Sequence, residues 1–146
     1  MTMQDSFVTS LLNVPVGKIE KFLKENLRGE VHLEVIEQNC ISGTNFVRKI
    51  VITANNLPVI RATVSFDSSK LSELILSELL KKHEGIGTIL TRNKINVQRN
   101  NVSLIFDSDD TIKRSYEIVN ANSLLFRISE EILLENLLAN KNGRRS

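Results

Sequence analysis

The chain has 146 residues, 41% hydrophobic, 25% charged and 5% aromatic, with a formal net charge of +2. That is one domain's length with an ordinary globular balance, which excludes a disordered, collagen-like or coiled-coil chain. Basic residues are scattered among acids until the Arg144-Arg145 tail, so no cationic stripe for nucleic acid forms. No apolar run reaches the ~20 residues of a bilayer span, and the start MTMQDSFVTSLL has neither a basic n-region nor a small-residue cleavage site. The expectation is a single domain over 1–146, cytoplasmic, with no nucleic-acid or membrane partner.

Helical spacing runs through the first 27 residues. Val16, Ile19, Phe22, Leu23 and Leu27 recur at three and four, after Pro15, which suits a helix start, and before Gly29, which suits a stop. Residues 30–37 (EVHLEVIE) alternate, with Val31, Leu33 and Val35 on one face. NFVRKIVIT (45–53) and VIRATVSF (59–66), joined by Asn55-Asn56-Leu57-Pro58, read as an antiparallel hairpin. SSKLSELILSELLKKH then carries Leu71, Leu74, Ile75 and Leu79 at helical spacing behind a serine cap. Gly85–Leu90 reads as a glycine-marked connection. Strands are expected near 94–99, 102–106, 114–120 and 123–130, before an apolar tail with helical character. This order predicts α+β: one mainly antiparallel sheet with helices on one face acting as lids.

Much catalytic vocabulary is missing. Cys40 is the only cysteine, and His32 and His83 lie in different elements without a partner at ligand spacing. There is no dinucleotide fingerprint, phosphate loop or nucleophile elbow. No metal or cofactor is expected.

The period-2 geometry of strands singles out charges instead. Arg48 shares its face with Phe46, Ile50 and Ile52; Glu130 shares one with Leu124, Phe126 and Ile128; Arg114 shares one with Tyr116 and Ile118. Glu131 and Arg61 fall on outward faces. An unpaired charge in a dry interior costs several kcal/mol, so the inward groups need partners. Two explanations stand open here. Arg48 and Glu130 neutralise each other, or a one-residue register slip sends both to solvent. Alternatively they line a closed pocket in which arginine grips a small carboxylate by a bidentate fork.

In order and spacing, these segments resemble the chorismate pyruvate-lyases, in the short branch outside the ubiquinone-pathway enzymes. The likeness covers roughly residues 11 to 132. It is carried by VRKIVITANNLPVIRATVSF, with Arg48, Pro58 and Ala62 at matching positions, by IGTIL from Ile86 to Leu90, and by RSYEIVNANSLLFRISEE. Two departures stand out: no Ser or Thr lies at Val16-Gly17, and Glu130 is followed by Glu131-Ile132-Leu133 rather than by Phe-Pro. The resemblance implies a cofactor-independent lyase that converts chorismate to 4-hydroxybenzoate and pyruvate. It assigns Arg48 to the ring carboxylate and Glu130 to the ether/phenol oxygen. It gives Ile86 and Val16 backbone contacts, and makes Arg114, with Arg99 after it, the holder of the second carboxylate. The rival is a non-catalytic effector or sensor module of the same fold that binds a small carboxylate. The tail ILLENLLA is apolar enough to pack on its own domain or to support a homodimer.

Overall fold

The computed structural model describes residues 6–107 and 110–141. Its strands are β1 (Val31–Ser42), β2 (Asn45–Ala54), β3 (Leu57–Asp67), β4 (Gln98–Asp107), β5 (Thr111–Asn120) and β6 (Ser123–Leu133). They form one sheet in the order β1-β2-β3-β6-β5-β4, with every neighbouring pair antiparallel. The helices are α1 (Ser6–Leu12), α2 (Ile19–Asn26), α3 (Glu73–Leu80), α4 (Ile86–Arg92) and α5 (Leu134–Ala139). The predicted α+β class with an antiparallel sheet holds.

The β2–β3 hairpin closes through Asn55 and Asn56, both at positive φ (53° and 66°). That is the pair of left-handed residues a tight hairpin requires, and asparagine tolerates it better than most. Ser72 caps α3 by accepting the Ile75 amide at 3.2 Å, one turn after the serines expected to cap this helix.

Four expectations need correction. Of the first 27 residues, those from 6 onward hold two short helices with a break at 13–18, because Gly17 takes φ +89° and cannot continue a right-handed helix. The helix expected over 68–83 starts at Glu73, after a short 3-10 turn at Ser68–Lys70. The connection expected at Gly85–Leu90 is helix α4. It buries Ile86, Ile89 and Leu90 at helical spacing, and that packing overrides the cost of Gly87. The two strands expected at 94–99 and 102–106 are one strand, β4, kept continuous by a register shift between Asn101 and Ser103.

β1 also runs further than its alternation suggested, because a bulge between Val35 and Glu37 resets its phase. Val31 is buried before the bulge, and Gln38 is buried after it.

The helices cover one face of the sheet and divide its core in two. Under α1, α2 and α5 the core is apolar, and the sheet supplies Ile52, Ile60, Ile112 and Ile132. Under α3 and α4 a second cluster joins Ala62, Val64, Phe66, Ile118, Phe126 and Ile128 to Ile75, Leu79, Ile86, Ile89 and Leu90. Tyr116 belongs to this second cluster, and the charged groups gather beside it.

Candidate active site

Two rows of side chains cross the covered face of the sheet. Backbone register aligns Arg48 with Val64, Ile128 and Tyr116 across β2, β3, β6 and β5. The adjacent row runs Ile50, Ala62, Glu130 and Arg114. With strands ~4.8 Å apart, Arg48 and Tyr116 start about 14 Å apart, three strands removed, on either side of an apolar floor.

Over this floor lies a small cavity of about 80 Å³. Val64, Ala62 and Ile128 form its floor, with Ile50 and Ile52 at one side and Arg99, Arg114, Tyr116 and Glu130 at the other. Its roof comes from Val14–Gly17 and from Ile86, Gly87 and Thr88 of α4. The roof depends on two glycines in contact. A Cβ on Gly87 would lie 2.7 Å from the Gly17 Cα, and one on Gly17 would lie 2.1 Å from the Thr91 Oγ1. Side chains at either position would push the α1–α2 link away from α4.

Glu130 is held from two sides. Arg114 donates Nε–H to Oε1 at 2.6 Å, and the Tyr116 hydroxyl donates to Oε2 at 2.6 Å. Arg114 also donates Nη1–H to the Leu12 carbonyl at 2.9 Å, which ties the site to the end of α1. Arg99 donates Nη2–H to the Val14 carbonyl at 2.5 Å. The guanidinium carbons of Arg99 and Arg114 stand 5.3 and 5.2 Å from the centre of the Tyr116 ring. Burial, reinforced by the Glu130 charge, holds the Tyr116 pKa well above its ordinary value, so the phenol remains a donor. Burial and then the neighbouring Arg114 charge lower the Arg99 pKa.

Arg48 is treated differently. It is 0% exposed, yet its Nη1 and Nη2 have no hydrogen-bond partner among the described residues. Its Nε–H donates to Gln38 Oε1 at 2.9 Å. Burial lowers its pKa to about 10.

Five of the six residues singled out from the sequence therefore line one cavity: Val16, Ile86, Arg99, Arg114 and Glu130. Arg48 is not in the lining. It lies on the same face, opposite Val64 and two residues before Ile50, both of which are in it. The salt bridge considered between Arg48 and Glu130 is absent, because Arg114 stands directly across from Glu130 and takes its carboxylate. Glu131 faces the other side of the sheet, 3.7 Å from Arg61, as alternation indicated.

Sequence reasoning missed Tyr116 as a functional group, although it had been placed inward beside Arg114. It missed Gln38 entirely, since the bulge lies just inside the segment read as regular. Among the described residues no three His, Cys, Asp or Glu side chains converge as a metal site, and no helix is long and apolar enough to cross a membrane.

No family model matches the chain. A protein of Methanocaldococcus jannaschii that carries the name "Putative lyase MJ0807" is 26% identical over 132 residues, covering 78% of this chain and 71% of that protein. Two solved structures are similar over most of the chain at low identity. One is a GntR-family transcriptional regulator from Bacillus cereus, with TM-score 0.47 and 10% identity, covering 73% of this chain and 94% of that one. The other is the ligand-binding domain of a regulator assigned to the GntR family, from Bordetella bronchiseptica. It has TM-score 0.48 and 8% identity, and covers 82% of this chain and 93% of that one.

Proposed function

We propose that this protein is a chorismate pyruvate-lyase that eliminates pyruvate from chorismate to give 4-hydroxybenzoate. The observation that carries the reading is the polarity of the site. A buried guanidinium with a free edge lies beyond one side of an apolar floor, and a carboxylate clamped by Arg114 and Tyr116 stands at the other. A flat ring acid with a hydroxyl opposite its carboxylate matches that order of groups. The lyase name of the archaeal relative points the same way.

In the reaction the ring–oxygen bond to the enolpyruvyl group breaks and the ring carbon bearing the hydroxyl loses its proton. The ring becomes aromatic, and the released enolpyruvate takes up a proton to become pyruvate. The substrate carries two carboxylates, so two cationic positions are needed. Arg48 would hold the ring carboxylate through its Nη1/Nη2 edge. Arg114 and Arg99 would attract the enolpyruvyl carboxylate. Glu130 would face the ring hydroxyl and its carbon, where a positioned carboxylate can accept a proton. Val16 and the backbone of Ile86 would close over the substrate from the roof, and the apolar walls would exclude water.

The test is to incubate the purified protein with chorismate and follow 4-hydroxybenzoate by chromatography. Product forming in proportion to protein supports the lyase. Absence of product with tight binding of 4-hydroxybenzoate would favour the rival reading, a sensor module without catalysis.

A further inference from the structure

Gln38 occupies a position that regular alternation would have given to an acid. Val31, Leu33 and Val35 share one face of β1, and an unbroken strand would bring Glu37 next onto that face. The bulge at Val35–Glu37 inserts one residue, leaving Ile36 exposed and Glu37 paired with Lys49 at 3.9 Å. Gln38 becomes the register partner of Arg48 and is 6% exposed. Its amide is oriented from both ends. Oε1 accepts the Arg48 Nε–H at 2.9 Å, and Nε2 donates to the Leu79 carbonyl in the last turn of α3 at 3.0 Å.

The choice between amide and acid matters because a guanidinium offers two edges. A carboxylate at position 38 would neutralise Arg48 inside the core and compete with any other anion for it. An amide accepts one N–H without carrying charge. It fixes the side chain's direction and leaves both the charge and the Nη1/Nη2 edge unspent.

We propose that Gln38 is the positioning residue of the Arg48 anion anchor. The β1 bulge brings a neutral acceptor to Nε, so that the guanidinium is aimed but not neutralised and its outer edge serves a carboxylate. This rests on the reading of Arg48 as the anchor and adds its aiming device, which α3 holds through the Leu79 carbonyl.

A purely structural role and a positioning role give opposite expectations for Gln38→Glu. Gln38→Glu supplies a counter-charge to Arg48 but gives up the N–H that the Leu79 carbonyl accepts, so stability does not separate the two roles; only the positioning role makes the change cost ligand affinity. The experiment compares wild type, Gln38→Glu and Gln38→Leu in three measurements: thermal unfolding, benzoate affinity by calorimetry, and KM and kcat for chorismate. Gln38→Glu should remain folded and bind benzoate on the order of tenfold or more weakly, the scale of a lost charge-assisted contact. KM should rise in parallel while kcat changes less than about threefold, because the reacting end of the site is untouched. Gln38→Leu, which leaves Nε without an acceptor, should lower both Tm and affinity.

Benzoate affinity within about twofold of wild type in a folded Gln38→Glu protein overturns the proposal, as does a wild type that binds no benzoate. If benzoate binding depends on Gln38 but no protein turns over chorismate, the lyase reading falls and the positioning role stands.

Discussion

Arg114 and Arg48 lie on one face of one sheet, both buried, and the fold satisfies them in opposite ways. Arg114 has a directly opposed carboxylate, Glu130, at 2.6 Å and a carbonyl from α1 at 2.9 Å. Arg48 has one neutral acceptor at Nε, and both of its terminal nitrogens are left over. The first corner is a self-contained ion pair that organises its surroundings. The second keeps a charge the fold itself does not use, and a desolvated, unspent cation is worth retaining where an anion is to be gripped. Substitution should separate the two corners, one through binding and the other through stability.

The largest effect is expected at Arg48. Arg48→Met removes the unsatisfied charge while filling most of its volume. Turnover and 4-hydroxybenzoate binding should fall on the order of a thousandfold or more, about 4 kcal/mol. Stability should stay within about 1 kcal/mol of wild type or rise, because replacing a poorly compensated buried charge by an apolar group is often neutral or favourable. Denaturant unfolding alongside product calorimetry checks both halves. Full activity in a folded Arg48→Met protein would remove the proposed anchor.

Arg114→Met should show the reverse emphasis. It leaves Glu130 buried with only the Tyr116 hydroxyl, and breaking such a pair costs about 3 kcal/mol or more. A midpoint in urea close to that of wild type would mean that Glu130 is solvated and the ion pair is not structural.

Glu130→Gln keeps the shape and the hydrogen bond from Arg114 but removes the proton acceptor. It should lower kcat on the order of a hundredfold, about 2.7 kcal/mol, while 4-hydroxybenzoate affinity changes by less than about threefold. A matched loss of affinity would instead make Glu130 part of the binding corner.

The legibility of these corners in the sequence follows the same division. Strand alternation placed Arg48, Arg114 and Glu130 inward and Glu131 and Arg61 outward, because in β2, β3, β5 and β6 the period of two runs unbroken through those residues. It could not reach Gln38, since a bulge shifts the phase by one residue and nothing in Val35-Ile36-Glu37 announces it. Pairing was also hidden. Arg48 and Glu130 both faced inward, but only the strand order, with β6 between β3 and β5, sets Arg114 rather than Arg48 across from Glu130. The roof was misread because IGTILTR is too short and too glycine-marked to declare itself a helix. Its burial of Ile86, Ile89 and Leu90 is a tertiary effect.

The smallest expected effect tests how self-contained the Arg114 corner is. Tyr116→Phe removes the hydroxyl that donates to Glu130 at 2.6 Å while leaving the ring beneath both arginines. The loss should be about 1–2 kcal/mol at neutral pH, the scale of one hydrogen bond to a charged acceptor. The difference should also depend on pH in a definite direction. The folded-state pKa of Tyr116 lies above its unfolded value, because burial and the Glu130 charge disfavour the phenolate. Its contribution is therefore fully present below pH 10, the ordinary tyrosine value, and is lost as pH rises from there toward the folded-state pKa. Arg48 titrates alike in both proteins and cancels in the difference. Unfolding free energies of wild type and Tyr116→Phe should thus differ by a constant amount up to about pH 10 and converge above it. A gap that stays constant beyond that point would mean the phenol reaches solvent, and that the Arg114 corner is open where Glu130 needs it closed.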